Sequence, residues 1–331
     1  MNGEKLRGVN LGGWLVLERW ITPSLFEGSV AQDEFSFMQE PDGVEKIKWH
    51  RRTFITESDF RWLAHHGVNA VRIPVGYWLF GDEDPFTPTV SYLDWAMEMA
   101  EKHGLKVLID LHGVKGSQNG NDHSGKTGVA AWYRKVSDRR ETLELLTRIA
   151  KRYKKSPALW GVEVLNEPKL GPRRYSILRQ FYKRAYAELA TVVRPGTHIV
   201  FSDGFMPRLF SGTIRQRWDI IPVIDVHWYQ FGRKNLVRYF KRIAKRRREI
   251  AALQRKQPVI IGEWSGMLSH QTLAGCAPAE RAHLEKRHIE EQLAAYESAL
   301  GWFYWTYKTE ETNSIWNFRT QVENGALAIR S

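Results

Sequence analysis

Eight short apolar runs, rich in β-branched or aromatic residues, recur along the chain. They lie at 6–11 (LRGVNL), 68–74 (VNAVRIP), 106–112 (KVLIDLH), 159–166 (LWGVEVLN), 198–203 (HIVFSD), 223–229 (VIDVHWY), 258–264 (PVIIGEW) and 301–307 (GWFYWTY). Near-continuous apolar character, in place of strict alternation, is the mark of parallel strands covered on both faces. Amphipathic patterns between the runs predict helices near 57–66, 91–103, 139–154, 176–192, 235–255 and 280–299. In the second of these, Leu93, Ala96, Met97 and Ala100 fall at helical spacing ahead of Gly104 as a C-terminal cap. Strand alternating with helix means βαβ units with right-handed crossovers. Eight such runs favour a closed barrel over an open doubly wound sheet. The spacing of Gly8, Gly12 and Gly13 does not give a dinucleotide-binding loop, and no phosphate-binding loop follows any run. The expected fold is therefore α/β: a single (β/α)8 TIM barrel over 1–331, with its site at the C-terminal strand ends. Segments of about 22–50 and 113–135 follow strand ends and are expected to be active-site loops.

Composition narrows the classes further. The lone Cys276 excludes a disulfide framework and a Cys-rich zinc site. A chain with 43% hydrophobic and 26% charged residues is neither disordered nor collagen-like. No stretch resembles a membrane span. The N-terminus enters a strand-like run with no basic and apolar leader, which places the chain in the cytoplasm as it stands; a secreted or periplasmic chain trimmed at its cleavage site reads the same way. Lys and Arg outnumber Asp and Glu by 49 to 37, a net charge of +12. Seven basic residues crowd 238–248 opposite an apolar stripe of Leu236, Phe240, Ile243 and Ala244. The plain reading is the solvated face of a barrel helix; the rival is contact with an anionic polymer or a membrane surface. No nucleic-acid-binding motif accompanies the run, so no nucleic-acid partner is expected. A monomer is expected.

Polar residues terminate the apolar runs: Arg72 the second, His112 the third, Asn166 and Glu167 the fourth, His227 and Tyr229 the sixth, Glu263 the seventh, with Trp305 in the eighth. In a closed barrel these ends converge on one mouth. Glu167 and Glu263 are 96 residues apart. At about 30 residues per βα unit that is three strands, so the two acids face each other across the mouth. A lone Glu at a strand end is usually a cap or an ion-pair partner. Two, beside aromatic and hydrogen-bonding groups, are what glycoside hydrolysis requires: one to protonate the leaving oxygen, the other as nucleophile or base. Arg72 beside a nucleophilic carboxylate would hold it ionised.

The sequence resembles glycoside hydrolase family 5 of clan A, and within it the exo-β-1,3-glucanases. The motifs run in order over nearly the whole chain: Gly8-Val9-Asn10-Leu11-Gly12-Gly13-Trp14, Val71-Arg72-Ile73-Pro74, Asp110-Leu111-His112-Gly113, Asn166-Glu167-Pro168, His227-Trp228-Tyr229-Gln230, Gly262-Glu263-Trp264 and Gly301-Trp302-Phe303-Tyr304-Trp305. The resemblance implies a retaining mechanism with Glu167 as acid/base and Glu263 as nucleophile. It implies that Arg72 and Tyr229 support Glu263, that Asn166 binds the 2-OH, and that His112 and His227 bind the sugar and orient the acid. Trp305 would be the floor on which the ring stacks. Glu18 and Asp122 would grip the non-reducing end and close an exo-acting pocket on a β-glucan oligosaccharide or polysaccharide. The acid in such a site should have a raised pKa beside an ionised carboxylate. Asn121 stands where fungal members usually carry an aromatic, and the shorter chain reads as a bacterial-type relative.

Transglycosylation and endo-action on the same fold share the first half-reaction and stay open. A non-catalytic sugar-binding barrel is disfavoured by the presence of both acids. With no H-E-x-x-H motif among eleven His, no metal and no cofactor are expected.

Overall fold

The computed structural model describes residues 4–229 and 235–329; Met1–Gly3 and Gln230 of the His227 motif lie outside the described residues. The eight apolar runs form strands β1 (Leu6–Asn10), β2 (Ala70–Gly76), β3 (Lys106–Gly113), β4 (Leu159–Glu163), β5 (His198–Ser202), β6 (Ile221–His227), β7 (Val259–Trp264) and β8 (Gly301–Tyr304). Every neighbouring pair is parallel, and β1 pairs with β8 to close the ring into a (β/α)8 barrel. The helices are α1 (Glu34–Phe37), α2 (Gly43–Thr53), α3 (Glu57–His65), α4 (Val90–Lys102), α5 (Val136–Tyr153), α6 (Pro172–Leu189), α7 (Pro207–Phe210), α8 (Leu236–Gln254), α9 (His270–Leu273), α10 (Pro278–Tyr296) and α11 (Phe318–Glu323). The six helices expected from periodicity are α3, α4, α5, α6, α8 and α10. No helix among the described residues is long and apolar enough to cross a membrane.

Alternation along the strands divides the barrel interior into two layers. Leu6, Ala70, Leu108, Val200, Val223, Ile260 and Phe303 fill the lower one as a dry cluster. Two residues further along each strand the chemistry changes. Ala70 is succeeded by Arg72, Leu108 by Asp110 and Val223 by Asp225, all buried. The outward faces pack on the helices in one large core that includes Val71, Ile109, Val162 and Ile261.

β7 breaks the alternation where it matters. Ile260 points inward and Ile261 outward, so regular pleating would send Glu263 outward with Ile261. The register against β6 instead jumps from Val226↔Ile261 to His227↔Glu263, leaving Gly262 as an extra residue. This bulge re-aims Glu263 into the barrel mouth. A Cβ on Gly262 would sit 1.9 Å from the Asp225 carboxylate, so no side chain fits there.

The segment of about 22–50 is more ordered than a loop. A 3-10 turn at Pro23–Phe26, then α1 and α2, builds an apolar cluster of Val16, Leu17, Phe26, Phe37, Met38 and Ile47 with Trp78 and Phe86. Arg51 and Glu34 pair at 2.5 Å within it, both buried. Glu34 also accepts from the Leu17 amide, which ties the chain carrying Glu18 and Trp20 to the barrel. The segment of about 113–135 contains a 3-10 turn at Asp122–Ser124.

Candidate active site

Arg72 sits at the barrel axis, fully buried, directly beneath the mouth. Its guanidinium donates to Glu263 Oε1 at 3.0 Å, Glu163 Oε2 at 2.8 Å, Asn166 Oδ1 at 3.0 Å and Asn10 Oδ1 at 2.9 Å. Asp110 lies 3.1 Å away. The Arg72 fork is spent on protein groups: it lies under Glu263, which it is expected to support, and under Asn166, and fixes both. His112 donates from Nδ1 to Asp110 at 2.6 Å, and its other ring nitrogen faces Asn166 Nδ2 at 3.3 Å. Burial lowers His112 to about 4, against the pull of Asp110, so the ring is neutral and accepts from Asn166.

Above this layer opens a cleft of about 680 Å³. Glu18, His112, Asn166, Glu167, His227, Tyr229, Glu263 and Trp305 line it as expected, joined by Trp20, His123, Phe205 and Trp316. Trp305 lies one residue past β8 and stacks on His112 with rings 5.5 Å apart and 10° from parallel. Glu18 accepts from Trp20 Nε1 at 2.9 Å. Burial, opposed by Trp20 and reinforced by Asp122, Glu263 and Glu167, pushes Glu18 well above the usual carboxylate range. Asp122 is half-buried and near enough for its charge to act on Glu18, and its neighbour His123 lines the cleft.

Asn166 and Glu167 lie past the end of β4, which stops at Glu163. Glu167 has φ of +40°, in the left-handed region, and precedes Pro168, which restricts it further. Asn119 Nδ2 holds its carbonyl at 3.2 Å. Phe205 is another cleft residue with positive φ, at 64°.

His227 joins the two acids. Its Nδ1 lies 2.8 Å from Glu167 Oε1 and 3.4 Å from Glu263 Oε2, and its Nε2 lies 3.2 Å from Asp225. Tyr229 donates to Glu263 Oε2 at 2.8 Å, and His123 stands 3.6 Å from Glu167. Burial opposes charge on His227, yet Glu263 and Asp225 together keep the ring protonated, far above its usual value. Burial likewise works to raise Glu167, but the hydrogen bond and charge of His227, with His123 and His112, hold it down at about 2. Glu263 is pushed up to about 7 by burial and by Glu167, against His227, Arg72 and Tyr229. The expected order of the two acids is thus reversed. The physical reason is His227, which stores its proton against Glu167 and leaves Glu263 as the group that resists ionisation.

Two clusters have the composition of metal sites, Glu163 with Asp225 and His227, and Glu167 with His227 and Glu263. In both, the imidazole is already hydrogen-bonded to carboxylates and protonated, and the Arg72 cation stands in contact with Glu163 and Glu263. That charge and donor set suits a sugar hydroxyl better than a cation. Asn10, Asp110, Glu163 and Asp225 were missed as site residues; a charge inside an apolar run, two positions before a terminating polar residue, is the signal that marks Asp110 and Asp225.

Residues 30–311 match the family model described as cellulase (glycosyl hydrolase family 5). The chain is 34% identical to the glucan 1,3-beta-glucosidase of Blumeria graminis, over 98% of this chain and 87% of that protein. It is 36% identical to a probable glucan 1,3-beta-glucosidase A of Aspergillus niger, over 92% and 83% respectively. Among solved structures, a rutinosidase from Aspergillus niger superposes with a TM-score of 0.84 at 21% identity, covering 97% of each chain. At that identity the likeness speaks to the fold.

Proposed function

The chain belongs to glycoside hydrolase family 5 and is a glycosidase, and from that premise we propose that it is a retaining β-glucosidase that removes single glucose units from the non-reducing end of β-1,3-glucan. One observation carries the retaining part. Oxygens of Glu167 and Glu263 lie within 4.8 Å of each other, with His227 between them. A gap of about 5–5.5 Å suits direct attack by a carboxylate, whereas inversion needs about 6.5–9.5 Å to seat a water.

Glu263 attacks the anomeric carbon. Arg72 and Tyr229 aim one oxygen each, and both donors stabilise the carboxylate that forms on ionisation. Glu167 protonates the leaving oxygen and then takes a proton from the water that releases glucose. His227 keeps a proton one 2.8 Å hydrogen bond away from Glu167. A bound sugar displaces water, which disfavours the separated charges and sends the proton to Glu167. Asn166, its amide fixed by Arg72 and His112, presents its remaining N–H to the 2-OH. Trp305 floors the ring, and Glu18 closes the end of the pocket opposite the leaving group.

Products from laminari-oligosaccharides, with cello- and gentio-oligosaccharides alongside, test the proposal. Stepwise release of β-configured glucose from the β-1,3 series is expected. A ladder of intermediate oligomers sinks exo-action, and α-glucose as first product sinks retention.

A further inference from the structure

The +12 charge is not spread around the barrel. Residues 169–256 carry 21 Lys or Arg against 5 Asp or Glu, whereas the rest of the chain carries 28 against 32. The whole excess therefore sits on one wall, made of α6, α7, α8 and the turns that join them to β5, β6 and β7. Its five acids do little to neutralise it. Asp203 and Asp225 are buried at the mouth, Glu188 pairs with Arg184 at 2.8 Å and Glu249 with Arg246 at 2.8 Å. Asp219 is the one exposed acid of this wall among the described residues.

The basic run at 238–248 divides between two faces of α8. Arg246 turns inward, buried, with its guanidinium 3.8 Å from the centre of the Trp228 ring, and Arg242 is half-buried beside Glu249 at 3.3 Å. Arg238, Lys241, Lys245 and Arg248 follow at helical spacing and form an exposed stripe that makes no ion pair among the described residues. On α6, Arg173, Arg179 and Lys183 are exposed in the same way, and Arg208, Arg215 and Arg217 stand between the two helices. Such a concentration of one sign repels itself, and nothing within the fold offsets it.

The shape of the wall is as unusual as its charge. α7 has 4 residues where α6 has 18 and α8 has 19, so no third full helix bows this side of the barrel outward. The chain between them is seated by hydrogen bonds from Tyr175 to the Leu209 carbonyl at 3.2 Å and from Ser211 to the Leu253 carbonyl at 3.3 Å. Ten large apolar side chains are exposed among the described residues, and Phe205, Met206, Leu209, Trp218 and Val237 all belong to this wall. Phe205 and Met206 follow β5 at the mouth, whereas Trp218 precedes β6 at the opposite end of the barrel. Trp218 is 65% exposed at a φ of +52°. Its turn is pinned by Tyr186, whose hydroxyl accepts from the Arg217 amide at 2.8 Å and donates to the Ile220 carbonyl at 2.8 Å. Backbone strain is thus spent on holding an indole in water.

We propose that this wall docks on an anionic lipid bilayer, its cations against the headgroup phosphates and its apolar tips in the boundary between headgroups and acyl chains. Charge alone would also suit a nucleic acid. Met206, Leu209 and Val237 decide between the two, because aliphatic side chains cannot stack on bases, whereas a bilayer takes them up. The protein lies on the surface and does not span it, in keeping with helices too short and polar to cross. Phe205 lines the catalytic cleft as well, so the docked wall reaches the rim of the mouth. None of this depends on which glycoside is cleaved.

Sedimentation of the whole protein with vesicles tests the proposal. In about 0.1 M NaCl, partition onto phosphatidylcholine vesicles holding about 30% phosphatidylglycerol is expected to exceed that onto phosphatidylcholine alone by about 100-fold. It should fall at least about tenfold in 0.5 M NaCl, where the Debye length is only about 4 Å. Lys241→Gln with Lys245→Gln should weaken binding about 30-fold. Trp218→Ala, which leaves the charge unchanged, should weaken it about fivefold. Arg52→Gln with Arg61→Gln removes two exposed cations from α2 and α3, across the barrel from α7, and should change it less than about twofold. All five positions are exposed, so melting temperature should hold. No binding to the phosphatidylglycerol vesicles overturns the inference, and so does an equal loss from the Arg52 and Arg61 pair, which would trace binding to net charge. Tighter binding to a DNA duplex at the same salt, unmoved by Trp218→Ala, overturns it in favour of a nucleic acid.

Discussion

The two layers inside the barrel are built on the same strands, two residues apart, and obey opposite rules. The lower layer, with Phe303 at its centre, is apolar and closes on itself; a Cβ on Gly8 would come within 2.4 Å of that ring. The upper layer sets one arginine against Asp110, Glu163, Asp225 and Glu263. Buried ion pairs return little net stability after desolvation, so the upper layer is poor cement. It supplies orientation instead: each donor of Arg72 fixes one acceptor. Excess negative charge is relieved in part at Glu163, which burial, with Asp110 and Asp225, pushes far above the usual carboxylate range despite Arg72. Folding is the task of the lower layer and aiming that of the upper.

If that division holds, substitutions in the two layers should separate activity from stability. The largest effect is expected for Glu263→Gln, a loss of kcat on the order of 10³-fold or more with melting temperature kept or raised. Glu167→Gln should match it on oligosaccharides but cost far less on 4-nitrophenyl β-glucoside, whose leaving group needs no proton. Equal losses on the activated substrate would contradict the roles given to the two acids. For Asp225→Asn a loss on the order of 10–100-fold in kcat is expected, because one carboxylate binds both the Gly262 amide at 2.6 Å and His227. A merely structural role would leave the pH profile of kcat/KM in place; a positioning role moves its limbs.

The pH profile of the unaltered enzyme sharpens the comparison. Glu263 must be ionised to attack, and its pKa is raised to about 7. Activity should thus fall as pH drops below about 7, by up to tenfold per unit, and an acid limb near 4 would show that substrate-free electrostatics do not govern attack. In the lower layer the prediction inverts: Phe303→Ala should cost about 3–5 kcal/mol of stability while kcat/KM of the folded fraction stays within about twofold. Acid stability gives the last test. His50, His112, His198 and His288 are lowered to about 4, in each case by burial above all. The unfolded chain protonates them near 6.5 and the folded one near 4, so their contribution is intact above 6.5 and is lost as pH falls from there to 4. Melting temperature should decline across that window.

The barrel was legible because parallel strands buried on two faces leave long apolar runs, and each of the eight runs overlaps a strand. Six of the expected site residues, His112, Asn166, Glu167, His227, Tyr229 and Glu263, line one cleft for a related reason: a polar group ending such a run has nowhere to point but the mouth. Asp110 and Asp225 were hidden by the same runs, read as uniformly apolar when a charge stood inside each. α2 escaped because its buried residues include His50 and Arg51, which periodicity scores as surface. The charge order of Glu167 and Glu263 depends on His227, His123 and Arg72 together, residues drawn from three parts of the chain, and no local pattern encodes that sum.

The bulge at Gly262 has a consequence for how such a site can be lost. Substitution changes what a position offers; deletion changes parity. Removing this one glycine would let Glu263 follow Ile261 in plain alternation, still facing the mouth but without the Gly262 amide that donates to Asp225. Keeping the glycine but pairing it regularly with β6 would instead turn Glu263 towards the helices. Catalysis here depends on the bulge staying a bulge, and the pairing register of this strand, as much as its composition, is a heritable determinant of activity.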